Sequence, residues 1–353
     1  MGKQRQNWTA APWDDREELE VAMVIPETAD TVTIAFRAPS GAWFDYQPGQ
    51  FLTLDLPVPG GPLARTYTIS SSPSRPLSIS ITVKAQPGSI GTRWMLDNLK
   101  PGMRIKAHGP AGQFTFHRHP AQKYLFISAG SGITPMMSMT MWAWDSGEMP
   151  DIAFVHAARK PADIIFKRRL EQFAARVPGL QLRFTVEEVD PFEVWSGFRG
   201  RLSQIMLGLM APDYLDREVF CCGPEPFMRS VREMLASLGY DMARYHEESF
   251  AAPALEEVPV ETVAPAGAAE IVFEGAGKSV PCDGSETVLA VARRAGLNIP
   301  SSCNFGLCGT CKVQKTAGEV VMVHNGGISD DEIEAGLILA CCSRPQGTVK
   351  LAV

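Results

Sequence analysis

Four cysteines near the end of the chain carry the clearest chemical signal. Cys303, Cys308 and Cys311 have the spacing C-x4-C-x2-C, and Cys341 follows after 29 further residues, with Cys342 beside it. This spacing is typical of a plant-type 2Fe-2S cluster, in which thiolates from one tight loop and a more distant cysteine hold two irons. Structural zinc sites more often use paired C-x2-C knuckles, so the pattern favours the iron–sulfur cluster over zinc.

A second group of side chains with chemical potential lies at the end of a strand-like segment. It contains a guanidinium, an aromatic ring and hydroxyls, from Arg65, Tyr67, Thr68 and Ser70. These types suit a flavin nucleotide, with the arginine for a phosphate, the tyrosine to stack on the ring system and Thr68 near its reactive edge. Alternating polar and aromatic residues are common in strands, so this pattern alone is weak evidence.

A glycine-containing segment supports the flavin hypothesis. Residues 87–92 (PGSIGT) precede a helix-like stretch that runs to Leu99. The first amides of a helix lack partners within it, so Gly91 and Thr92 are placed to receive a phosphate. The two segments together predict one flavin site.

Two further motifs each join a buried strand to a helix. Residues 130–135 (GSGITP) contain glycines that allow a tight turn and a close approach to a pyrophosphate, and Pro135 suits the first helical position. Residues 221–228 (CCGPEPFM) form the second junction. A single G-x-G is a weak signal, but two such junctions in one α/β segment predict a nicotinamide dinucleotide site.

The residues alone leave the choice between NADH and NADPH open. An acid that binds a ribose is expected about 20 residues after the glycine turn, but the second strand ends in His156-Ala-Ala-Arg159. Arg159 and the run 167–169 (KRR) are candidates to pair with a 2′-phosphate. A charged helix face is, however, usually just solvated.

Charge and hydropathy exclude several classes of function. Lys and Arg number 33 against 39 Asp and Glu, a net charge of −6, which disfavours a nucleic-acid binder that neutralises phosphates. No apolar run approaches the ~18–20 residues that span a bilayer, and the polar start lacks a signal-peptide core. We therefore expect no nucleic acid and no membrane among the partners, and a cytoplasmic location in which the cysteines stay reduced.

The motifs need several supporting domains, and 353 residues with 45% hydrophobic content predict two or three of them. Short strands with period-two alternation, clearest in residues 77–84, predict an antiparallel β-barrel. Buried strands alternating with helices predict an α/β domain with a parallel sheet. The predicted order is a tail (1–16), the barrel (17–118), the α/β domain (119–250), a Pro- and Glu-containing linker (251–268) and a separate cysteine-loop unit (269–353).

Together these motifs resemble the ferredoxin–NADP reductase superfamily joined to a plant-type ferredoxin. The resemblance implies a multidomain fold with a flavin β-barrel, an α/β nicotinamide domain and a C-terminal β-grasp domain. It implies Cys341 rather than Cys342 as the fourth cluster ligand, because Leu339-Ala-Cys341 looks like the corresponding ferredoxin strand. It also implies FAD, with FMN as the alternative, and NADH, with NADPH as the alternative.

The resemblance assigns roles to individual residues. The catalytic residues beside the hydride path are implied to be Thr68, Cys222 and Glu248. The flavin is implied to bind at Arg65, Tyr67, Thr68, Ser70, Gly91 and Thr92. The dinucleotide is implied to bind at Gly130, Gly132, Thr134, Pro135, Cys222, Gly223, Pro224 and Phe250. The cluster ligands are implied to be Cys303, Cys308, Cys311 and Cys341.

The order of the domains resembles the reductase components of Rieske-type monooxygenases, particularly those serving quaternary ammonium substrates such as glycine betaine. It implies a Rieske-type oxygenase component as the electron acceptor. The reductase of hybrid-cluster protein has a similar arrangement, and a redox-sensing regulator would use the same cofactors. The sequence itself contains no C-x-H…C-x2-H Rieske pair and no recognisable triad of two histidines and a carboxylate.

Overall fold

The computed structural model describes residues 10–59, 61–147, 149–250, 268–301, 306, 309–324 and 327–353. The chain divides into two compact units. Two six-stranded sheets lie in the part that ends at residue 250, and a five-stranded sheet begins at Ala268. Ala268, which the sequence placed in the linker, therefore opens a strand.

The first sheet is a closed antiparallel barrel. Its elements are β1 (Leu19–Thr28), β2 (Thr31–Arg37), β3 (Phe51–Val58), β4 (Gly61–Thr68), β5 (Ile79–Lys84), helix α1 (Ile90–Asn98) and β6 (Arg104–Ala111). The strand order is β4-β3-β6-β1-β2-β5, and β1 pairs antiparallel with β2 and β6. Ile69, directly after β4, forms an antiparallel bridge to Ile81 of β5, which joins the two edges of the sheet.

The structure confirms the predicted alternating strand, with a later start. Strand β5 begins at Ile79, and Leu77 remains 56% exposed. Thr82 is buried although it lies between apolar positions. Its hydroxyl is within 2.8 Å of the hydroxyls of both Thr33 and Ser70, so the polar group is satisfied inside the barrel.

The end of the predicted tail packs on the barrel. Pro12 forms a parallel bridge to Trp43, and the Trp13 amide donates to the Trp43 carbonyl at 2.8 Å. The Trp13 ring is buried and lies 5.7 Å from the ring of Phe44. Trp13 thus belongs to the barrel core, whereas Pro12 is exposed and only its backbone pairs with the barrel.

The second sheet is parallel and doubly wound. Its strands are β7 (Lys123–Ala129), β8 (Asp151–Ala158), β9 (Leu180–Val186), β10 (Phe198–Arg199), β11 (Glu218–Cys222) and β12 (Tyr245–Glu248). The strand order is β10-β9-β8-β7-β11-β12. The winding reverses between β7 and β11, and ligands of such sheets bind outside the carboxyl ends of the strands at this switch point.

Helices cover both faces of this sheet, which explains its near-continuous apolar strands. They are α2 (Ile133–Ser146), α3 (Lys167–Ala174), α4 (Gln204–Met210) and α5 (Glu225–Ser237). Phe126, Phe154 and Phe220 belong to one core, while Leu125 and Val155 belong to the core on the other face. Among the described residues, no helix is both long and apolar enough to cross a membrane.

Helix α2 starts earlier than the sequence predicts. It begins at Ile133, so Pro135 occupies the third helical position rather than the first. The prediction of the first position was wrong, but proline is still tolerated there, because the first turn of a helix needs no intrahelical partner for its amides.

The C-terminal unit is a mixed five-stranded sheet with one packed helix, as expected of a β-grasp domain. Its elements are β13 (Ala268–Phe273), β14 (Lys278–Asp283), α6 (Val288–Arg294), β15 (Lys312–Met322), α7 (Asp330–Glu334), β16 (Leu337–Leu339) and β17 (Ser343–Leu351). The strand order is β14-β13-β17-β15-β16, and β13 and β17 run parallel. Thr287 caps α6, whose buried face packs into the core that also contains Cys311 and Cys341.

Candidate functional site

Three residues from distant parts of the first unit meet at the carboxyl ends of β11 and β12. Cys222 and Glu248 end these two strands and stand opposite each other in the parallel register. Thr68, the last residue of β4, donates a hydrogen bond from its hydroxyl to Oε2 of Glu248 at 3.5 Å. The structure therefore brings the three predicted catalytic residues together next to the switch point.

Burial controls the protonation of this group. Desolvation raises the pKa of Glu248 to about 8, and the hydrogen bond from Thr68 only partly offsets that shift. Desolvation also raises the pKa of Cys222 well above its ordinary value, with the nearby Glu248 carboxyl contributing in the same direction. At neutral pH Glu248 therefore holds a proton and Cys222 is a neutral thiol, not a thiolate nucleophile.

The two predicted dinucleotide motifs pack directly against each other. A Cβ atom placed on Gly132 would lie 2.1 Å from the carbonyl oxygen of Cys222 and 2.6 Å from the amide nitrogen of Gly223. Gly130 has φ +53°, which glycine adopts without strain. Only glycine fits at position 132, so the glycine turn and the Cys222 loop form one continuous backbone surface.

The remaining dinucleotide residues lie on these two junctions. Thr134 and Pro135 are buried in the first turn of α2, and the Thr134 hydroxyl donates to the Ser131 carbonyl at 3.0 Å. Pro224 is the N-cap residue of α5. Phe250 is 42% exposed, two residues beyond the end of β12.

The predicted flavin residues on and after β4 differ in their environments. Arg65 is exposed and Tyr67 is half-buried, whereas Thr68 is buried. Ser70 is also buried, and its hydroxyl lies 2.8 Å from that of Thr82 inside the barrel. A phosphate can reach Arg65 and a ring can reach Tyr67, while the hydroxyl of Ser70 already has a protein partner.

Helix α1 places the predicted phosphate segment in its first turn. Ser89 is the N-cap, and its hydroxyl accepts a hydrogen bond from the amide of Thr92 at 3.4 Å. The Thr92 hydroxyl accepts from the Gln86 amide at 3.1 Å, and Gly91 is buried. Ser89 is a cap that the sequence analysis does not predict, although a serine directly before the first apolar residue of a helix, here Ile90, is a readable signal.

The cysteine loop fits a 2Fe-2S cluster as far as it is described. Cys311 and Cys341 are both buried, and the Cys341 amide donates to Sγ of Cys311 at 3.4 Å. Such N–H to sulfur bonds accompany cluster ligation and tune its potential. Gly306 and Gly309 both have positive φ, which permits the tight loop. Cys303 and Cys308 lie outside the described residues.

Cys342 has a different environment from its neighbour. Its thiol donates to the Leu339 carbonyl at 3.7 Å. A Cβ on Gly306 would lie 2.8 Å from Sγ of Cys342, so this thiol packs against the backbone of the loop. This packing accords with the prediction that Cys342 is a small packing residue and not a ligand.

Two carboxylates that the sequence reasoning missed lie just after β9. The Glu187 amide donates to the Ala158 carbonyl at 3.2 Å, and the Glu188 amide donates to the Arg159 carbonyl at 2.8 Å. Both side chains are exposed at the carboxyl edge of the sheet. The expected acid was sought at the end of the second strand, whereas these acids follow the third.

The basic run at residues 167–169 lines an open cavity of about 640 Å³ together with Glu27 and Phe166. Arg169 lies 3.8 Å from the Glu27 carboxylate, and the Lys167 ammonium lies over the Trp195 ring, 5.3 Å from its centroid. Two of the three cations therefore already have partners in the protein, which weakens the hypothesis that they bind a 2′-phosphate.

Family models match three successive parts of the chain. They are an oxidoreductase FAD-binding domain over residues 18–116, an oxidoreductase NAD-binding domain over residues 126–233, and a 2Fe-2S iron-sulfur cluster binding domain over residues 271–346. The predicted cofactors FAD, NADH and a 2Fe-2S cluster are thereby confirmed. The first of these models describes an FAD-binding domain, which favours FAD over the alternative FMN.

Relatives match over nearly the whole length. The stachydrine N-demethylase reductase subunit Stc4 of Rhizobium meliloti (strain 1021) is 60% identical, over 94% of this chain and 95% of the relative. The glycine betaine monooxygenase reductase subunit of Pseudomonas aeruginosa (strain UCBPP-PA14) is 47% identical, over 97% and 96% respectively. The solved structure of phthalate dioxygenase reductase shares the fold, with a TM-score of 0.60 and 23% identity over 97% of this chain and 100% of that one. The chain therefore belongs to the ferredoxin–NADP reductase superfamily, among the flavoproteins that carry a plant-type 2Fe-2S ferredoxin domain at the C-terminus.

Proposed function

We propose that this chain is the NADH-dependent reductase component of a Rieske-type monooxygenase that acts on a quaternary ammonium compound. The observation that carries the electron-transfer role is the meeting of Thr68, Cys222 and Glu248 at the switch point of the sheet, in a chain that also holds a cluster loop. The substrate class rests on the relatives, since one is a stachydrine and another a glycine betaine reductase subunit.

The cofactors supply the redox chemistry, because FAD accepts two electrons as hydride from NADH and passes them singly to the cluster. The protein supplies position. Gly132 lets the glycine turn approach the Cys222 backbone, so a dinucleotide bound on that turn would lie beside Cys222. Thr68, which ends strand β4 of the barrel, would hold the reactive edge of the flavin.

Glu248 leaves this point neutral, because its own burial raises the pKa of the carboxyl to about 8. A protonated carboxyl bonded to Thr68 presents no negative charge to an incoming hydride, whereas an ionised one would repel it. The buried Cys222 thiol likewise fills space beside the ring without charge. These residues exclude water and hold the reacting partners close, which is how a protein accelerates a transfer that its cofactors perform.

We propose that Glu187 and Glu188 contribute to the preference for NADH. Carboxylates at the carboxyl edge of such a sheet accept hydrogen bonds from ribose hydroxyls and repel a 2′-phosphate. Arg159 is exposed next to them, and Lys160 lies 3.8 Å from the Glu188 carboxylate, so the cations here are balanced by acids.

We also propose three domains, over residues 17–118, 119–250 and 268–353, with Trp13 of the preceding tail packed on the first and a linker between the last two. The family matches at 18–116, 126–233 and 271–346 support this division. We place the chain in the cytoplasm, because thiolate ligands and NADH chemistry need a reducing compartment.

The decisive test is electron delivery to an oxygenase. The purified chain is mixed with NADH and a Rieske-type oxygenase component, with stachydrine, glycine betaine or a tertiary amine as substrate, and demethylated product is measured against NADH consumed. We expect product only with the quaternary compounds. If the chain reduces ferricyanide rapidly and transfers electrons to hybrid-cluster protein but not to the oxygenase, hybrid-cluster protein is the partner instead. Slow turnover with every acceptor would instead indicate a regulator.

A further inference from the structure

Two histidines and a glutamate converge at the amino ends of β11 and β12. His119 lies just before β7, Glu218 opens β11, and His246 is the second residue of β12. One nitrogen of each imidazole and one carboxylate oxygen of Glu218 all lie within 4.8 Å of one another. The sequence showed no such triad because its members come from three separate segments.

We propose that His119, Glu218 and His246 form a binding site for a divalent transition-metal ion, with zinc as the best-suited metal. Two imidazoles and one carboxylate are a donor set that zinc uses, with a fourth position left for water. Zinc bonds of about 2.0–2.1 Å hold donor atoms about 3.4 Å apart. In the structure the donor atoms lie within 4.8 Å of one another, so zinc binding would draw them closer by at most about 1.4 Å.

Neighbouring groups hold the glutamate in place. Oε1 of Glu218 lies 2.7 Å from Nε2 of His246, and its other oxygen accepts from Nε of Arg244 at 3.2 Å. The Arg244 guanidinium also donates to the carbonyls of Leu215 and Asp216, at 3.1 and 2.9 Å. One carboxylate oxygen is thus fixed by an arginine that has its own anchors, while the other faces the imidazoles. Outer contacts of this kind orient ligands in metal sites.

The two histidine rings lie against each other. They stack at 3.6 Å between centroids with 25° between planes, and the Phe220 ring lies 5.0 Å from His246. Because an imidazole binds a metal in the plane of its ring, one of the two rings turns out of the stack when both bind the same ion. The Tyr124 hydroxyl donates to the His119 carbonyl at 3.0 Å, which fixes the segment that carries His119. The side chains of Glu218 and His246 are only 14% and 16% exposed, so the site is sheltered yet reachable.

The position of the site gives metal binding a structural consequence. Phe220 pairs with His246 and Cys222 pairs with Glu248 in the register of the two strands. A metal bound by Glu218 and His246 would link β11 to β12. His246 lies two residues before Glu248 on β12, a distance of about 7 Å along the strand. Because a ligand that binds only the folded state stabilises it, zinc should raise the unfolding temperature.

Zinc binding to the full chain, loaded with FAD and cluster, tests this proposal. After equilibrium dialysis against zinc, zinc, iron and flavin are counted per chain by elemental analysis and absorbance. We expect one zinc bound beside two irons, at least tenfold weaker binding in His119→Ala and His246→Ala, and a similar loss in Glu218→Gln. The matched control is His117→Ala, because His117 is an exposed histidine that contacts the Trp142 ring and is not one of the three proposed ligands.

Several outcomes would overturn the site. Equal zinc affinity in the wild type and His119→Ala would do so. A loss of zinc affinity in His117→Ala as large as the loss in His119→Ala would do so as well. Zinc uptake matched by loss of iron would place the metal at the cysteines instead. If His246→Ala fails to fold, the zinc affinity of His119→Ala tests the site, because His119 lies outside the sheet. The flavin and iron content of His119→Ala shows whether that variant is folded. Zinc should raise the melting temperature of wild type and His117→Ala but not of His119→Ala.

Discussion

Thr68 and Glu248 are 180 residues apart in sequence, yet the threonine hydroxyl donates to a carboxyl that is otherwise cut off from water. One residue ends a barrel strand and the other ends the last strand of the parallel sheet. The contact therefore joins the flavin and nicotinamide domains at the point where we propose that hydride passes. It makes Glu248 the most informative residue to change.

Glu248→Gln should alter the pH dependence of stability. Burial raises the pKa of Glu248 from 4.5 to about 8, so the folded protein holds a proton that the unfolded chain releases. Its stabilising contribution is complete below the unfolded pKa and is lost as the pH rises through the folded one. We therefore expect Glu248→Gln to gain stability over the wild type between about pH 4.5 and about pH 8, measured as urea midpoints. If the urea midpoints of the two proteins change with pH in parallel, Glu248 ionises with an ordinary pKa.

Gly132→Ala should disrupt the dinucleotide turn. The new methyl group would lie 2.1 Å from a backbone carbonyl that cannot rotate away, so one of the two loops must move. We expect a loss of ~1–3 kcal/mol in unfolding free energy and weaker NADH binding in fluorescence titrations. Gly208→Ala is the control, since nothing lies within 4 Å of its Cβ position and an alanine favours helix α4. Unchanged NADH affinity in Gly132→Ala would separate this turn from the dinucleotide.

Arg65→Ala should weaken flavin retention. The exposed guanidinium is the predicted phosphate partner, and loss of a charge-assisted hydrogen bond costs roughly 1.5–3 kcal/mol. Bound FAD is measured by absorbance after extensive dialysis. Arg37→Ala is a matched control, because Arg37 is an exposed strand residue paired with Glu20. Full FAD occupancy in Arg65→Ala would exclude the phosphate role.

Substitution of single cysteines should distinguish the cluster ligands from Cys342, which does not bind the cluster in our proposal. Cys303→Ser, Cys308→Ser, Cys311→Ser and Cys341→Ser should each lose the cluster, because a serine replaces a thiolate ligand. Cys342→Ser should keep it, since the Cys342 thiol bonds to a carbonyl. Iron and sulfide content and the visible spectrum report the outcome. Cluster loss in Cys342→Ser with retention in Cys341→Ser would move the fourth ligand by one residue.

Sequence patterns predicted the three folds because each has a strong local signal. The strand alternation before Lys84, the buried run in β7 and the helix after Thr287 all reflect burial patterns that repeat along the chain. The predictions were wrong at element boundaries, such as the start of α2 near Pro135 and the start of β5 near Leu77. Capping and neighbouring loops determine where an element begins.

The contacts within the sites were harder to predict for a physical reason. The bond from Thr68 to Glu248, the approach of Gly132 to Cys222 and the hydroxyl pair of Ser70 and Thr82 depend on how strands meet in space. No local period encodes such a meeting. Family resemblance located the first two groups, but only the structure shows that Ser70 is turned toward a barrel partner.

A truncation after Phe250 should separate the two halves of the electron path. The compact unit that ends there retains Thr68, Cys222 and Glu248, so the fragment should still bind FAD and reduce ferricyanide with NADH. It should fail to reduce the protein acceptor, because the cluster is the proposed exit. The control is full-length Cys311→Ser, which we expect to lack the cluster while the rest of the C-terminal domain is still present in the chain. Stopped-flow mixing with NADH should show flavin bleaching in all three proteins and cluster bleaching only in the wild type. If the fragment reduces the oxygenase component as fast as the full chain, electrons leave from the flavin and the proposed order is wrong.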